Sequence, residues 1–355
     1  MFNFPYLPVA PCRFSSTKNI YTGEKHILNR VWLLNLVPNL KYGRWYCAAL
    51  SFLTVAGLIA LQAALDTNAT QRYGWPLAIF FCVVIAYVIP VFHFITEHTL
   101  KAFDDLTPHL TLDPAIRNSM RLSITHKSLT WVGMTLTVAT GLWLFQSWLL
   151  SGSLSNMLTQ IAASPASFLN SSIPLLVWMT MTTAIAGLTE NARVFRQLTF
   201  NIDINLLNTN ALTPVGRMAV SSTLMVIGAQ ASFSIMWLGG STDPWTTIPG
   251  LLTTSAALVY LIIAPVWPLH QAIKRAKAEE IALVQTQINT YRRMRQTQDY
   301  ADITPLLTYR REISRLSEWP LDISVITRLG LYLIIIPLTW VGAALIENVV
   351  DFFVG

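Results

Sequence analysis

The sequence is poor in charged side chains, which make up only 12% of its 355 residues. A soluble domain of ordinary composition carries about 25%, so this composition argues against a chain that folds in water. Hydrophobic residues make up 53%, and the mean hydropathy is +0.47. Lipid is therefore the predicted surrounding for most of the chain.

Cysteine and histidine are scarce as well, with three and six residues. Cys12, Cys47 and Cys82 are odd in number and lack the spacing of a metal site, so we interpret them as reduced thiols. His93 and Glu97 lie one helical turn apart and are the nearest metal candidates, but no second His-rich motif completes a ligand set. Because residue pairs at catalytic spacing are also lacking, the sequence predicts no metal, no cofactor and no enzyme activity.

Seven apolar runs are long enough to cross about 30 Å of hydrocarbon at about 1.5 Å per residue. The predicted fold class is therefore all-α: a polytopic membrane protein with seven transmembrane helices and a cytosolic helical bundle or hairpin. The runs lie near residues 45–65, 75–97, 129–150, 173–190, 216–239, 248–268 and 325–350.

The predicted organisation has four parts. Residues 1–43 form a cytosolic N-terminal segment with an interfacial amphipathic helix, and residues 44–268 hold transmembrane helices 1 to 6 with their cytosolic extensions. Residues 269–322 form a cytosolic helical hairpin, and residues 323–355 form transmembrane helix 7. The apolar pattern around Trp32 fits either a helix in the inner headgroup layer or a packed cytosolic helix.

Basic residues are distributed asymmetrically. Of the 24 Lys and Arg residues, all except Arg72 fall in segments that seven helices place on one side, and residues 151–172 carry no charge. Because basic residues favour the cytoplasmic side, we predict a bacterial inner (plasma) membrane protein with its N-terminus in the cytosol and its C-terminus outside. The formal charge of +6 then reflects topology and anionic headgroups, so the predicted partner is the lipid bilayer and not nucleic acid.

Two Pro-containing pairs, Asp113-Pro114 and Thr213-Pro214, have the form of helix starts, because Asp or Thr can cap a helix and Pro fits its first turn. From Asp113 we expect one unbroken helix as far as Leu150. Thr213 is expected to begin the fifth transmembrane helix.

The cytosolic hairpin is predicted from two apolar stripes at helical spacing, with a helix start at Thr304-Pro305 between them. The membrane helix before it is expected to end around Pro265–Pro268. The two stripes can bury each other, or bury the same stripes of neighbouring subunits. They consist of Ile281, Val284, Ile288 and Tyr291 in the first arm, and Leu306, Tyr309, Ile313 and Leu316 in the second.

The second arm is expected to stop at Glu318-Trp319-Pro320, since Pro does not continue a helix. Asp322 is the predicted cap of the last membrane helix. We interpret these four residues as an elbow that passes movement of the hairpin to that helix.

The last apolar run ends in an acidic band that includes Glu347 and Asp351. In a monomer these carboxylates are a solvated helix end, whereas in a symmetric oligomer they form rings that select cations. The predicted pore-lining residues are Leu333, Ile336, Thr339, Ala343, Glu347 and Asp351.

This layout resembles the seven-helix chemoreceptor-type ion channels related to insect odorant receptors. The resemblance is one of topology: an inside N-terminus, helices that project inward, and a final membrane helix. It implies a tetrameric channel lined by the last helix and held by a cytosolic helical anchor. The stretch from Leu331-Tyr332-Leu333 to Thr339-Trp340 lacks the Thr and the Gln of the family's terminal-helix signature, so no residue role is transferred.

The leading hypothesis from the sequence is a homo-oligomeric, cation-selective ion channel whose cytosolic helices hold and gate the assembly. One alternative is a non-conducting membrane sensor or scaffold that binds a cytosolic protein through the hairpin. A further alternative is a transporter, for which Gln230 and hydroxyls such as Thr182 and Thr254 are the midplane candidates. Close packing of membrane helices explains the same hydroxyls without any substrate.

Overall fold

The structure is a computed structural model that describes residues 29–66, 72–199, 212–237, 244–294 and 303–317, residues 202 and 206, and nine residues of the last apolar run. All nine are helical: Thr327, Gly330, Leu331, Ile334, Leu338, Val341, Gly342, Leu345 and Val349.

The described chain is predominantly helical. Its two short strands, β1 (Asn29–Arg30) and β2 (His126–Lys127), form one antiparallel pair. A single turn of 3-10 helix covers Thr107–His109, and a longer 3-10 helix covers Ser232–Trp237. The α-helices are α1 (Trp32–Asn35), α2 (Gly43–Leu65), α3 (Trp75–Leu106), α4 (Pro114–Thr125), α5 (Leu129–Ser151), α6 (Leu154–Ala163), α7 (Pro165–Thr199), α8 (Thr213–Ala231), α9 (Pro244–Met294) and α10 (Ile303–Arg315).

Five helical stretches of the described chain are long and apolar enough to cross a membrane. They match five of the seven predicted runs, and three of them extend well beyond the predicted bounds. They cover Gly43–Leu65, Trp75–His109, Pro165–Thr199, Thr213–Met236 and Ile248–Arg292.

The prediction of seven spans is not confirmed. The run 129–150 corresponds to α5, which has 23 residues but is not among the five. Of the run 325–350, the structure describes only the nine helical positions given above.

The helix expected to run unbroken from Asp113 to Leu150 is in fact two helices. Asp113 caps α4 as predicted, because its Oδ1 accepts a hydrogen bond from the Ala115 N–H at 3.0 Å. However, α4 ends at Thr125 and His126 is extended, with φ −116° and ψ 134°. Ser128 then caps α5 by accepting from the Trp131 N–H at 3.2 Å. The expectation was wrong because residues 126–127 pair with β1 and Ser128 caps a new helix. Together these interactions are more favourable than a continuous helix.

The segment around Trp32 packs against the helical bundle. Its helix α1 is a single turn, and its side chains Leu33 and Leu34 are buried in the larger apolar core. The Trp32 Nε1–H donates to Thr183 Oγ1 of α7 at 3.3 Å. This segment is therefore inserted into the end of the bundle that carries α10, which we call the inner end after the predicted orientation.

Helix α9 continues where an end was expected. It contains Pro249, Pro265 and Pro268, yet it runs without a break through 51 residues to Met294. Pro is tolerated in membrane helices when packing compensates for the lost hydrogen bond. The residues after Pro268 are rich in Gln, Ala, Lys and Glu, which favour helix. The predicted sixth span and the predicted first arm of the hairpin thus form one helix, about 75 Å long at 1.5 Å per residue.

Two apolar cores hold the bundle together. The larger is formed by α1, α2, α3, α7, α8 and α9 within the membrane spans. The smaller lies at the inner end, where α3, α4, α7, α8, α9 and α10 converge. Because α3, α7, α8 and α9 contribute to both, the membrane part and the hairpin share a continuous packed interior.

The hairpin closes through apolar and polar contacts. Ile313 of α10 is fully buried in the inner core. The Tyr309 hydroxyl donates to Glu280 Oε1 at 3.1 Å, and Lys277 Nζ donates to the Leu316 carbonyl at 3.0 Å. The second arm is therefore fastened along the inner part of α9.

We predict that Ile313→Asp destabilises the protein strongly, because an unpaired carboxylate in an apolar core costs several kcal/mol. Leu307→Asp on the same helix is the control, since Leu307 is 47% exposed. Thermal unfolding in detergent should show a much lower midpoint for Ile313→Asp alone. Equal midpoints would mean that α10 does not pack as described.

Candidate functional site

A cavity of about 290 Å³ lies inside the bundle, at the end opposite the hairpin. It is enclosed by the start of α3, the end of α5, α6, the first half of α7, the 3-10 turn after α8 and the start of α9. Its volume is at the lower end of the range for small-molecule sites. Under the predicted orientation it lies in the outer half of the membrane.

Aromatic rings form one wall of the cavity. Tyr73 packs edge-on against Phe81 with centroids 5.3 Å apart, and Phe80 packs against Phe233 with centroids 4.9 Å apart. The Tyr73 hydroxyl donates to the Asn170 carbonyl, which ties this wall to α7. Such contacts give the cavity a stable shape, since offset and edge-on ring pairs add to burial alone.

Gly250 of α9 allows this wall to close. A Cβ at that position would lie 2.6 Å from the Phe233 ring, closer than carbon atoms approach. The absence of a side chain lets Phe233 pack directly on the α9 backbone. The position of α9 is thus coupled to the aromatic wall.

A hydrogen bond between two lining side chains joins α5 to α7. The Trp178 Nε1–H donates to Gln146 Oε1 at 2.5 Å. Trp178 is 8% exposed, so its indole nitrogen needs such a partner. The bond holds these two polar groups in place in the wall of the cavity.

Two further polar atoms of the lining are buried and have no hydrogen-bond partner. They are Asn170 Oδ1 and Thr182 Oγ1 of α7. None of the described lining residues carries a charge. The site is therefore suited to an uncharged, largely apolar molecule that offers a few hydrogen-bonding groups.

Helix α6 covers one side of the cavity. Ser153 caps it by accepting from the Asn156 N–H at 3.2 Å, and Gly152 before it has a positive φ of 72°, which favours glycine. Met157 faces inward and is 3% exposed, whereas Leu158 is 56% exposed. This short uncharged helix separates the cavity from the surface.

The cavity is not predicted from the sequence. Of the hydroxyls named for the transporter hypothesis, Thr182 and Thr254 line the cavity, and Thr254 also donates to the Gly250 carbonyl of its own helix at 2.8 Å. The candidate Gln230 lies elsewhere, where its Nε2 donates to Ser255 Oγ at 2.9 Å. No sequence pattern distinguishes a hydroxyl that faces a cavity from one that bonds to its own helix.

The candidate metal pair lies at the inner end of the bundle. His93 Nδ1 is 3.5 Å from Glu97 Oε1, and Arg44 bonds to the other oxygen of the same carboxylate. Within the described ranges, no three His, Cys, Asp or Glu side chains are grouped as a metal site requires. The positive charge that balances the Glu97 carboxylate is thus the guanidinium of Arg44.

The hairpin residues differ in their exposure. Val284 and Ile313 are buried, and Tyr291 is 49% exposed. The others are partly buried: Ile281, Ile288, Leu306, Tyr309 and Leu316.

The structure does not describe the predicted elbow residues or the predicted pore-lining residues. The elbow residues Glu318, Trp319, Pro320 and Asp322 lie outside the described residues. So do the predicted pore-lining residues Leu333, Ile336, Thr339, Ala343, Glu347 and Asp351.

Comparison with known protein families, with curated proteins and with solved structures found no match.

One buried cation lies near the inner end. Lys127 of β2 is 5% exposed, its Nζ donates to the Ser123 carbonyl, and it lies 5.7 Å from the centre of the Trp131 ring. Burial lowers the pKa of Lys127 from 10.5 to about 8, against an opposing effect of Glu190.

This pKa predicts a pH-dependent stability. Between about pH 8 and 10.5 the unfolded chain keeps the Lys127 proton and the folded chain loses it, so the free energy of unfolding rises with pH across that window. The rise is at most about 3 kcal/mol. Thermal unfolding in detergent should show this rise in the wild type, relative to Lys127→Met. The control Lys101→Met, at an exposed position, should follow the wild type. Superimposable pH profiles for wild type and Lys127→Met would contradict the burial of this amine.

Proposed function

We propose that this chain is a membrane receptor that binds an uncharged, largely apolar molecule in its cavity and transmits the occupancy to the inner hairpin. The observation that carries the proposal is the cavity itself, with its aromatic wall and uncharged described lining. This proposal develops the membrane-sensor hypothesis from the sequence. In that hypothesis the hairpin binds a cytosolic protein, and we include that partner in the proposal.

The composition of the lining supports this ligand class. Small-molecule sites are mostly apolar and use a small number of placed polar groups to orient the ligand. Here those groups include Gln146, Asn170 and Thr182. A charged ligand is disfavoured, because its charge would lose its hydration without a counter-charge among the described lining residues.

The continuity of α9 supports transmission. Gly250, Thr253 and Thr254 of this helix line the cavity, and its other end carries the hairpin contacts of Lys277 and Glu280. A ligand that binds better to one position of α9 shifts the population toward that position. Because the helix is unbroken, a tilt at the cavity moves the hairpin.

An ion channel is the second candidate, and the sequence motivates it. The carboxylates Glu347 and Asp351, in rings of a homo-oligomer, would form the cation-selective mouth. In that case the hairpin would act on the last helix through Pro320 and its neighbours. Five apolar helices support a membrane location; the bacterial inner membrane and the orientation of the termini remain part of the proposal.

The receptor proposal predicts where a photoreactive ligand attaches. The full chain in lipid nanodiscs is treated with a dodecanol that carries a diazirine, and the labelled residues are mapped by mass spectrometry. We expect labelling of α7 between residues 174 and 185, competition by plain dodecanol, and no competition by dodecanoate, whose carboxylate would be buried without a partner.

Ser147→Trp is the test variant, since a large ring at this lining position fills the cavity. Thr137→Trp is its matched control, because Thr137 is exposed on the same helix. Labelling of α7 should fall to background in Ser147→Trp and persist in Thr137→Trp. Labelling confined to outward-facing residues, unchanged by Ser147→Trp, would rule out the cavity as a binding site.

A further inference from the structure

An ion pair joins α2 to α3 at the inner end of the bundle. The Arg44 guanidinium donates to Glu97 Oε2, and its carbon lies 5.0 Å from the centre of the Phe94 ring. The centre of that ring lies 4.0 Å from the centre of the His98 ring. The Arg44 side chain is therefore held by a carboxylate and by an aromatic face, while 39% of it stays exposed.

The ion pair lies at the depth of the lipid headgroups. Glu97 follows Trp75, the first residue of α3, by about 33 Å at 1.5 Å per residue, which is about the thickness of the hydrocarbon layer. Arg44 is the second residue of α2, whose 23 residues are also long enough to cross that layer. Trp45 and Tyr46 next to it are 77% and 59% exposed, as aromatic residues at the membrane interface are.

Positive charge is in excess around this ion pair. Lys101 lies one turn beyond the carboxylate on α3, Lys41 lies three residues before the guanidinium, and both are exposed. Arg30 of β1 is exposed too, and it lies close enough to act electrostatically on His93, whose ring is 3.5 Å from the carboxylate. Four cations thus share one region with one carboxylate. We call Arg30, Lys41, Arg44 and Lys101 the inner cationic cluster.

The next acids along α3 lie further from the membrane. Asp104 and Asp105 are about 10 Å beyond Glu97 along the helix, and Asp104 is already paired with Arg121 at 2.8 Å. Among the described residues, Glu97 is the partner to which Arg44 donates. Because a guanidinium has five N–H donors, Arg44 retains donors for a second anion.

We propose that the inner cationic cluster binds the headgroup of one anionic phospholipid of the adjacent leaflet, with Arg44 at the centre of the site. The phosphate accepts from the Arg44 guanidinium, and Lys41 and Lys101 add charge nearby. Glu97 and Phe94 act as positioning residues, because they hold the guanidinium. The cavity lies at the opposite end of the bundle, so this inference goes beyond the proposed function and does not rest on it.

The position of the cluster favours a phospholipid over a soluble phosphate compound. Next to the cluster, α2 presents apolar side chains such as Leu50 and Leu53, which are 68% and 66% exposed. Acyl chains of a lipid held at Arg44 lie along this surface and remain in the membrane. An anionic headgroup is favoured over a zwitterionic one, since the ammonium of the latter would meet four cations.

The experiment measures lipid binding to the full chain by native mass spectrometry from detergent micelles. Phosphatidylglycerol and phosphatidylcholine with the same acyl chains are titrated, and the dissociation constants of the first bound lipid are compared. Lys101→Gln is the main variant, because this exposed substitution leaves the Arg44–Glu97 pair intact and decides the test even where Arg44→Gln does not fold. Arg311→Gln is the matched control, since it removes one exposed charge from the hairpin.

We expect one phosphatidylglycerol to bind at least about tenfold more tightly than phosphatidylcholine, because several cations contribute. Lys101→Gln should weaken its binding about fivefold, the loss expected for one cation near an anionic headgroup. Arg44→Gln should weaken it by more than about tenfold, since charge-assisted hydrogen bonds are lost with the charge. Arg311→Gln should leave the dissociation constant unchanged.

Three results would overturn the proposal. Equal weakening in Lys101→Gln and Arg311→Gln would mean that net charge alone attracts the lipid. Equal affinity of the wild type for the two lipids would remove the anionic headgroup from the account. Glycerol phosphate is the competitor without acyl chains, and we expect it to need at least about a hundredfold higher concentration to displace the lipid. Displacement at equal concentration would assign the cluster to a soluble phosphate compound.

Discussion

The constraint on which this structure depends is that hydrocarbon supplies no hydrogen bonds. Every backbone group in the spans must be satisfied within the protein, and helices do so locally. Side-chain hydroxyls follow the same rule: Thr96, Thr180 and Thr254 each donate to the carbonyl four residues earlier. Asn170 Oδ1 and Thr182 Oγ1 of the cavity lining depart from this rule, and so do the two amide atoms of Asn191 away from the cavity.

The same constraint explains why the membrane part and the inner part form one unit. Helix α9 continues through Pro265 and Pro268 to Met294, so a single element reaches from the cavity to the hairpin. At the cavity it packs against Phe233 through Gly250. At the inner end its contacts with α10 include a buried Ile313. A receptor needs such a rigid connection between a ligand and a distant surface.

The sequence predicts much of this fold and little of the site. Helix starts at Asp113 and Thr213 are local signals, and the structure places helices there. The break after Thr125 depends on pairing with Asn29 and Arg30, a contact between distant segments that no local pattern encodes. The cavity depends on which face of α7 meets α5 and α9. Hydropathy does not show how a helix is rotated about its own axis. The sequence around Asn170 and Trp178 therefore does not indicate that these residues line a cavity.

The central claim, that occupancy of the cavity moves the hairpin, is tested most directly by pulsed electron paramagnetic resonance. Spin labels replace the exposed residues Leu283 of α9 and Leu122 of α4 in a chain whose native cysteines are changed to alanine. Saturating dodecanol should shift the distance distribution between the labels, and the added substitution Ser147→Trp should abolish the shift. An unchanged distribution with the cavity occupied, shown by photolabelling of the same sample, would contradict transmission along α9.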